Sequence, residues 1–393
     1  MSVDRPHVVM AVANSIAMDA RVRKTATSVQ AMGYRVTLLW ADESGREVTE
    51  GDLDGVRTVG LPVPYHLRKR AAERRAKSVR ERTSWLNPGY RDQAARRVKA
   101  AELAARRARS DSDSPSLALR GAALRHRIRS RALSLSVGAR RRYLTARRRA
   151  RPWTQELADT QDLDGIFTPW LIDLAPDVLH LHDIHLLSAG VHAKRRLTGR
   201  GRSVKLIYDA HEYIRGFGGV DPIRDAALAA LEAELIKEAD AVVTVSEPIA
   251  DCLRRDLGLR ERPTVVLNTP RLAASPSETP VAGVRDVVGL DAATPLAVYS
   301  GVLHHNRKLP HLIEAFGLLP EVHLALVCVP NAHYPVALGL GRQAAELGLA
   351  GRVHLVEPVA PEQVVEFLSS ATLGIHPMAL GLPNHEMALP NKL

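Results

Sequence analysis

The feature that most constrains this chain is its rhythm: short runs rich in Val, Leu and Ile alternate with segments that carry a helical apolar period. A strand that is apolar on both faces must be covered on both sides, and helices that return the chain between parallel strands provide that cover. The rhythm predicts strands at His7–Ala13, Arg35–Ala41, Val56–Val63, Asp177–Asp183, Lys205–His211, Ala241–Ser246 and Thr264–Asn268. Helices are predicted over Asp19–Met32, with Gly33 as its stop, and over His185–Leu197, Asp225–Glu238 and Pro248–Leu257. Residues 269–294, rich in Pro, Ser and Thr, read as a linker. The rhythm then restarts, with strands at Leu296–Gly301, His323–Val329, Arg352–Val356 and Thr372–His376 and helices between them. The expected architecture is two Rossmann-like α/β domains, 1–268 and 295–393, facing a cleft, with ligand groups just after the strands. Pro390 looks like the first position of a helix. The second domain is therefore expected to be incomplete at Leu393.

Charge is segregated along the chain. Residues 66–151 hold 27 Lys and Arg against 6 Asp and Glu, a local charge of +21. The remainder carries 27 basic and 37 acidic residues, so one segment accounts for the net +11. The stretch 66–165 is accordingly expected as a polar, mainly helical insert in the first domain. No run approaches the length of a membrane helix, and the apolar start is too short and too strand-like for a signal peptide. Cys252 and Cys328 both fall in apolar segments, which excludes a disulfide framework. The expectation is a cytoplasmic protein.

Four strand-end segments carry groups suited to chemistry. NSIAMDAR offers Asn14 and Asp19 at the start of the first helix, where backbone N–H groups attract anions. Simple helix capping serves equally well for Asp19. LHLHDIH places His180 and His182 on one face of a strand, with Asp183 at its exit. Three histidines so spaced lack the i, i+4 pattern of a helical zinc motif, so no metal site is expected. YDAHEY offers Asp209, His211 and Glu212, a histidine and carboxylates suited to hydroxyl binding or proton handling. YSGVLHHNRKLP ends a strand at Gly301 and brings Arg307 and Lys308 to a helix entry, a place suited to a diphosphate. A solvated Arg-Lys pair is the alternative there.

Taken together, VANSIAMDARVRKTATSVQAMGYRVTLL, DVLHLHD, KLIYDAHEY, ADAVVTVSEPIADCL, VVLNTP, YSGVLHHNRKLPHLIEAF and GIHPMALGLPNHEMALPNKL resemble retaining glycosyltransferases of family 4. The resemblance implies the GT-B fold. It also implies a nucleotide-diphosphate sugar donor held mainly by the second domain, a glycan or lipid-linked acceptor held mainly by the first, and no metal or other cofactor. By position, His211 matches the family's cleft histidine near the transferred sugar. Asn14, Asp19, Asp183 and Glu212 fall on the acceptor side. Gly301, Arg307 and Lys308 match the donor diphosphate site. Asn384, Glu386, Pro390, Asn391 and Lys392 resemble the loop that cradles the donor's sugar and phosphates.

The chain departs from that pattern at Val302, where the family commonly has Arg, and at Val329-Pro330-Asn331, which replaces a Gly-rich turn. The family's Glu-x7-Glu motif cannot be completed before Leu393; Glu386 lies near its first position. These departures put in doubt the activity of the chain as given. Asp111-Ser-Asp113 imitates a metal-binding motif of another transferase fold, but it lies in the polar insert rather than at a strand end.

Within the insert, Leu117, Leu124, Ile128 and Leu135 recur among arginines. Such a basic amphipathic segment suits an anionic membrane surface, here the inner face of the cell membrane. A solvated helical hairpin is the alternative. Nucleic acid is disfavoured, because stacking aromatics are nearly absent. Two other functions fit the sequence: a sugar-nucleotide epimerase of the same fold, and a non-catalytic scaffold for anionic polymers.

Overall fold

The computed structural model describes residues 5–81, 152–217, 221–269, 282–303, 307–360, 363–378 and 383–387. Expectations for 82–151, Asp111 and Asp113 included, and for Pro390, Asn391 and Lys392 lie outside the described residues. The chain divides into two compact units. One gathers 1–16, 25–209 and 218–241; the other gathers 17–24, 210–217 and 242–393.

In the first unit, strands β1 (His7–Val12), β2 (Arg35–Asp42), β3 (Thr49–Leu53), β4 (Val56–Pro62), β5 (Val178–His182) and β6 (Lys205–Ala210) lie in the order β3-β4-β2-β1-β5-β6. All pairs are parallel except β3 with β4. The central strand β1, HVVMAV, is buried at every residue, which explains why it is apolar on both faces. Helices α1 (Ala20–Ala31), α2 (His66–Glu81), α3 (Trp153–Glu156), α4 (Ala158–Asp173), α5 (Leu187–Gly199) and α6 (Pro222–Leu235) accompany these strands. Gly190 on α5 lets that helix approach the sheet: a Cβ there would fall 2.0 Å from Leu181 Cδ1. Asp221 caps α6 by accepting from the backbone N–H groups of Ile223 and Arg224, and Pro222 opens the helix.

Two corrections concern this unit. The exposed edge strand β3, TEGDL, was not expected, because its composition is polar. Its signal was local: Asp54 and Gly55 both have positive φ and join β3 to β4 as a two-residue hairpin. The basic insert is also narrower than 66–165. Trp153, Leu157, Leu163 and Phe167 are buried, and the Trp153 indole donates to Glu234 at 2.7 Å. The α2 start is tied to the same place, since Leu67 and Arg68 donate backbone N–H groups to the Asp162 carboxylate at 3.0 and 2.9 Å. A carboxylate at a helix start satisfies donors that have no partner within the helix. Arg224 closes the arrangement with a two-pronged bond to Asp159 at 2.9 and 2.6 Å.

In the second unit, β7 (Ala241–Thr244) pairs in parallel with β8 (Thr264–Val265), with α7 (Glu247–Leu257) between them in sequence. A separate all-parallel sheet has the order β11-β10-β9-β12, built from β9 (Leu296–Val302), β10 (His323–Val329), β11 (Val353–Val356) and β12 (Leu373–Gly374). Its helices are α8 (Val284–Val287), α9 (Leu309–Phe316), α10 (Pro335–Glu346), α11 (Val364–Leu368) and α12 (Pro383–Met387). The expected linker 269–294 is shorter than its composition suggests. Val284 is fully buried, and Arg285 donates to the carbonyls of Ser370 and Thr294 at 3.0 and 2.7 Å. One arginine thus binds 282–294 to the strand-β12 side of this unit.

Candidate functional site

At the end of β5 the sequence turns sharply. Asp183 has φ 67° and ψ 164°, a conformation that residues with a Cβ rarely adopt. Its carboxylate accepts from Ile184 N–H at 2.7 Å, and its own N–H donates to Asp209 carbonyl oxygen at 2.9 Å. The strain is therefore held by bonds on both sides. Beneath it, the facing residues His182 and Asp209 of β5 and β6 meet, with His182 Nδ1 3.2 Å from Asp209 Oδ2. His180 stacks on His182, ring centroids 4.5 Å apart. Among the described residues, His180, His182 and Asp209 form the one group of metal-ligand types, their atoms within 4.8 Å of one another and all three buried. Asn14, in the same unit, is exposed in the bend that follows β1.

The remaining described candidates belong to the second unit. Asp19 caps α1, its Oδ1 accepting from Val22 N–H at 3.1 Å. Two turns of α1 then reach the VVLNTP segment: Arg21 donates to Val266 carbonyl oxygen at 2.6 Å, and Lys24 to Asn268 Oδ1 at 3.1 Å. His211 is half-buried and Glu212 exposed, directly after β6.

This His211–Gly216 stretch is where α12 packs. Asn384 Oδ1 accepts from Tyr213 N–H at 3.0 Å, and Met387 carbonyl oxygen accepts from Ser246 Oγ at 2.8 Å. Gly216 is required by the approach: a Cβ would lie 3.0 Å from Asn384 N and 2.7 Å from Tyr213 Cδ1. Tyr213 is itself braced by Asp256, and burial together with that bond pushes its hydroxyl up to about 12. Asn384 thus spends its side-chain oxygen on the backbone, while Glu386 is exposed.

At the end of β9, Gly301 takes φ 151°, open to glycine and disfavoured for other residues. Lys308 is exposed at the start of α9 with φ 51°. Arg307 is half-buried, and its Nη1 lies 3.0 Å from His376 Nε2. His376 in turn stacks on Tyr299 of β9, with 5.9 Å between centroids. The candidates that the structure joins are therefore Asn384 with the segment after His211. It also joins Arg307 with a residue not anticipated, His376. The signal for His376 was present, since it closes the predicted strand Thr372–His376. The signal for Arg21 and Lys24 lay in the VANSIAMDARVRKTATSVQAMGYRVTLL and VVLNTP motifs, whose contact no local pattern announces.

Residues 116–270 match the model of Glycosyltransferase Family 4. Three solved structures have the same fold over most of the chain. Sucrose-phosphate synthase from Thermosynechococcus elongatus is 14% identical, with a TM-score of 0.58, covering 96% of this chain and 77% of its own. Anabaena Alr3699/HepE, solved with UDP and glucose, is 12% identical, with a TM-score of 0.52, covering 96% and 76%. The catalytic domain of starch synthase IV from Arabidopsis thaliana, bound to ADP and acarbose, is 13% identical, with a TM-score of 0.51, covering 95% and 78%. The match over 116–270 is thus to family 4 glycosyltransferases, and the chain as a whole has the GT-B fold. No curated relative matches the sequence. Among its described residues the chain has no helix long and apolar enough to cross a membrane. Its parallel sheets are the α/β, Rossmann-like layers that the strand rhythm predicts.

Proposed function

We propose that this chain is a glycosyltransferase that moves a sugar from a nucleoside-diphosphate donor to a glycan or lipid-linked acceptor, with retention at the anomeric carbon and without a metal. Arg307 and Lys308, beside Gly301, serve the donor diphosphate; Asn384, Glu386, Pro390, Asn391 and Lys392 form the loop around its sugar and phosphates. His211 stands at the transferred sugar, and Asn14, Asp19, Asp183 and Glu212 serve the acceptor. As the anomeric C–O bond breaks, its electron pair moves onto the diphosphate. Fixed cations stabilise that developing charge as a metal ion would. We extend the reading to donor binding by the second unit, and to binding of an anionic membrane surface by 66–151 at the cytoplasmic face.

The observation that carries this reading is the bond from Tyr213 N–H to Asn384 Oδ1, which puts the proposed donor loop two residues from His211. The positive strand end at Arg307 and Lys308 supports a diphosphate, and the UDP and ADP seen in HepE and starch synthase IV belong to that chemical class.

The test is a panel of UDP-, ADP-, GDP- and dTDP-sugars screened for a rise in melting temperature, followed by transfer assays with EDTA present. One donor should stabilise the protein, and transfer should survive EDTA and keep the donor's anomeric configuration. His211→Ala should abolish transfer while leaving donor binding within about threefold. Donor turnover without acceptor would favour an epimerase, and binding without any turnover would favour a scaffold.

A further inference from the structure

Resting on the reading of Arg307 as a diphosphate cation, we propose that His376 is a positioning residue that holds the Arg307 guanidinium in its donor-binding orientation. The contact is Arg307 Nη1 to His376 Nε2 at 3.0 Å. A guanidinium has donors only, so Nε2 accepts and the imidazole proton belongs on Nδ1. This partner has a consequence that a carboxylate would lack. A neutral ring fixes the guanidinium without neutralising it, so its full positive charge remains for an anionic ligand.

The ring is itself anchored in the core. It lies nearly parallel to Tyr299, at 12° between planes, and Tyr299 is fully buried. The Tyr299 hydroxyl donates to Val302 carbonyl oxygen at 2.9 Å, fastening the end of β9. The backbone before His376 is tied to the same strand, with Ile375 N–H donating to Val298 carbonyl oxygen at 2.8 Å. Burial raises the Tyr299 hydroxyl's pKa, and the charge of Arg307 pulls against it, as expected for a cation held close by. Core, tyrosine, histidine and arginine thus form a continuous support. An arginine ordered before its ligand arrives does not lose that side-chain freedom on binding.

The experiment measures Kd for UDP, ADP and GDP on the full chain by calorimetry. The tightest of the three is then carried through Arg307→Ala, His376→Ala, His376→Gln and the double variant R307A/H376A. Expected is a rise in Kd of about tenfold in R307A and about fivefold in H376A. H376Q, whose side-chain oxygen can accept the same bond, should recover most of the loss. The double variant should bind no more weakly than R307A, because His376 acts through Arg307. If R307A binds as tightly as the wild type, or none of the nucleotides binds, the diphosphate reading of this site is overturned and this inference with it. If R307A binds weakly but H376A does not, only the positioning role is overturned. The same holds if H376A weakens binding equally in the R307A background. Should H376A unfold, H376Q decides: wild-type affinity supports the role, and affinity no better than that of R307A overturns it.

Discussion

Two strand ends in this protein each pair a histidine with a charged residue, and they differ in what surrounds the pair. In the first unit, His182 meets Asp209 at 3.2 Å with the two side chains 0% and 1% exposed, and His180 stacks beside them. In the second, His376 meets Arg307 at 3.0 Å with both half-buried. A buried carboxylate must be answered within the protein, so Asp209 is committed to its neighbours. A half-buried guanidinium keeps donors directed at solvent and at any anion that arrives. The same strand-end address therefore yields a buried ion pair in one place and, in the other, the half-buried cation proposed for the donor diphosphate. The strained turn at Asp183 is mounted on this region through the Asp209 carbonyl.

The comparison can be broken most forcefully at Asp209. Asp209→Ala leaves two buried imidazoles without their carboxylate and should cost about 3 kcal/mol or more of unfolding free energy in urea titrations. A variant as stable as the wild type but without transfer activity would make the first region chemical rather than architectural. Arg307→Ala should behave in the opposite way. It should leave urea stability within about 0.5 kcal/mol, as for a residue outside the core, while weakening nucleotide binding. Loss of stability there would erase the contrast.

A pH titration sharpens it further, since among the described residues each unit holds a histidine whose proton affinity is depressed. His7 is lowered by burial and by Arg35, with its Nε2 2.9 Å from Thr37 Oγ1. His354 is lowered by burial and by His323, 3.0 Å away. A base with a depressed folded pKa takes up its proton more readily when unfolded. Both histidines should therefore leave stability intact above the ordinary value of 6.5 and drain it as the pH falls below. His7→Gln and His354→Gln should each reduce the acid-induced drop in melting temperature. An unchanged acid limb in both variants would assign that limb to other groups. The smallest effect is expected at the sheet edge, where Leu373 is 59% exposed. Leu373→Lys should change stability by less than about 0.5 kcal/mol and reduce self-association in light scattering, because charge on an edge strand discourages pairing with another chain.

The sequence by itself determined the layers. The alternation of apolar runs and helical periods reflects burial, which each residue experiences through its own neighbours in sequence. It therefore located β1, β2, β4, β5, β6, β9 and β10 and marked Asp183, His211 and Arg307 as strand-end residues. Local chemistry also determined the Asp19 cap, since a helix start needs an acceptor within three residues. Where composition was the guide it misled. The polar edge strand Thr49–Leu53 reads as loop, and Trp153–Leu163 was assigned to a basic insert although Trp153, Leu157 and Leu163 are buried.

Only the tertiary structure decided the partners. Tyr213 and Asn384 are separated by 171 residues, and Arg307 and His376 by 69. Asn384 carries no mark that its oxygen will meet a backbone N–H, and His376 none that it will face a guanidinium rather than solvent. Such contacts are made by strands and helices that meet only once the sheets are assembled. Their identity is a property of packing, which has no period along the chain.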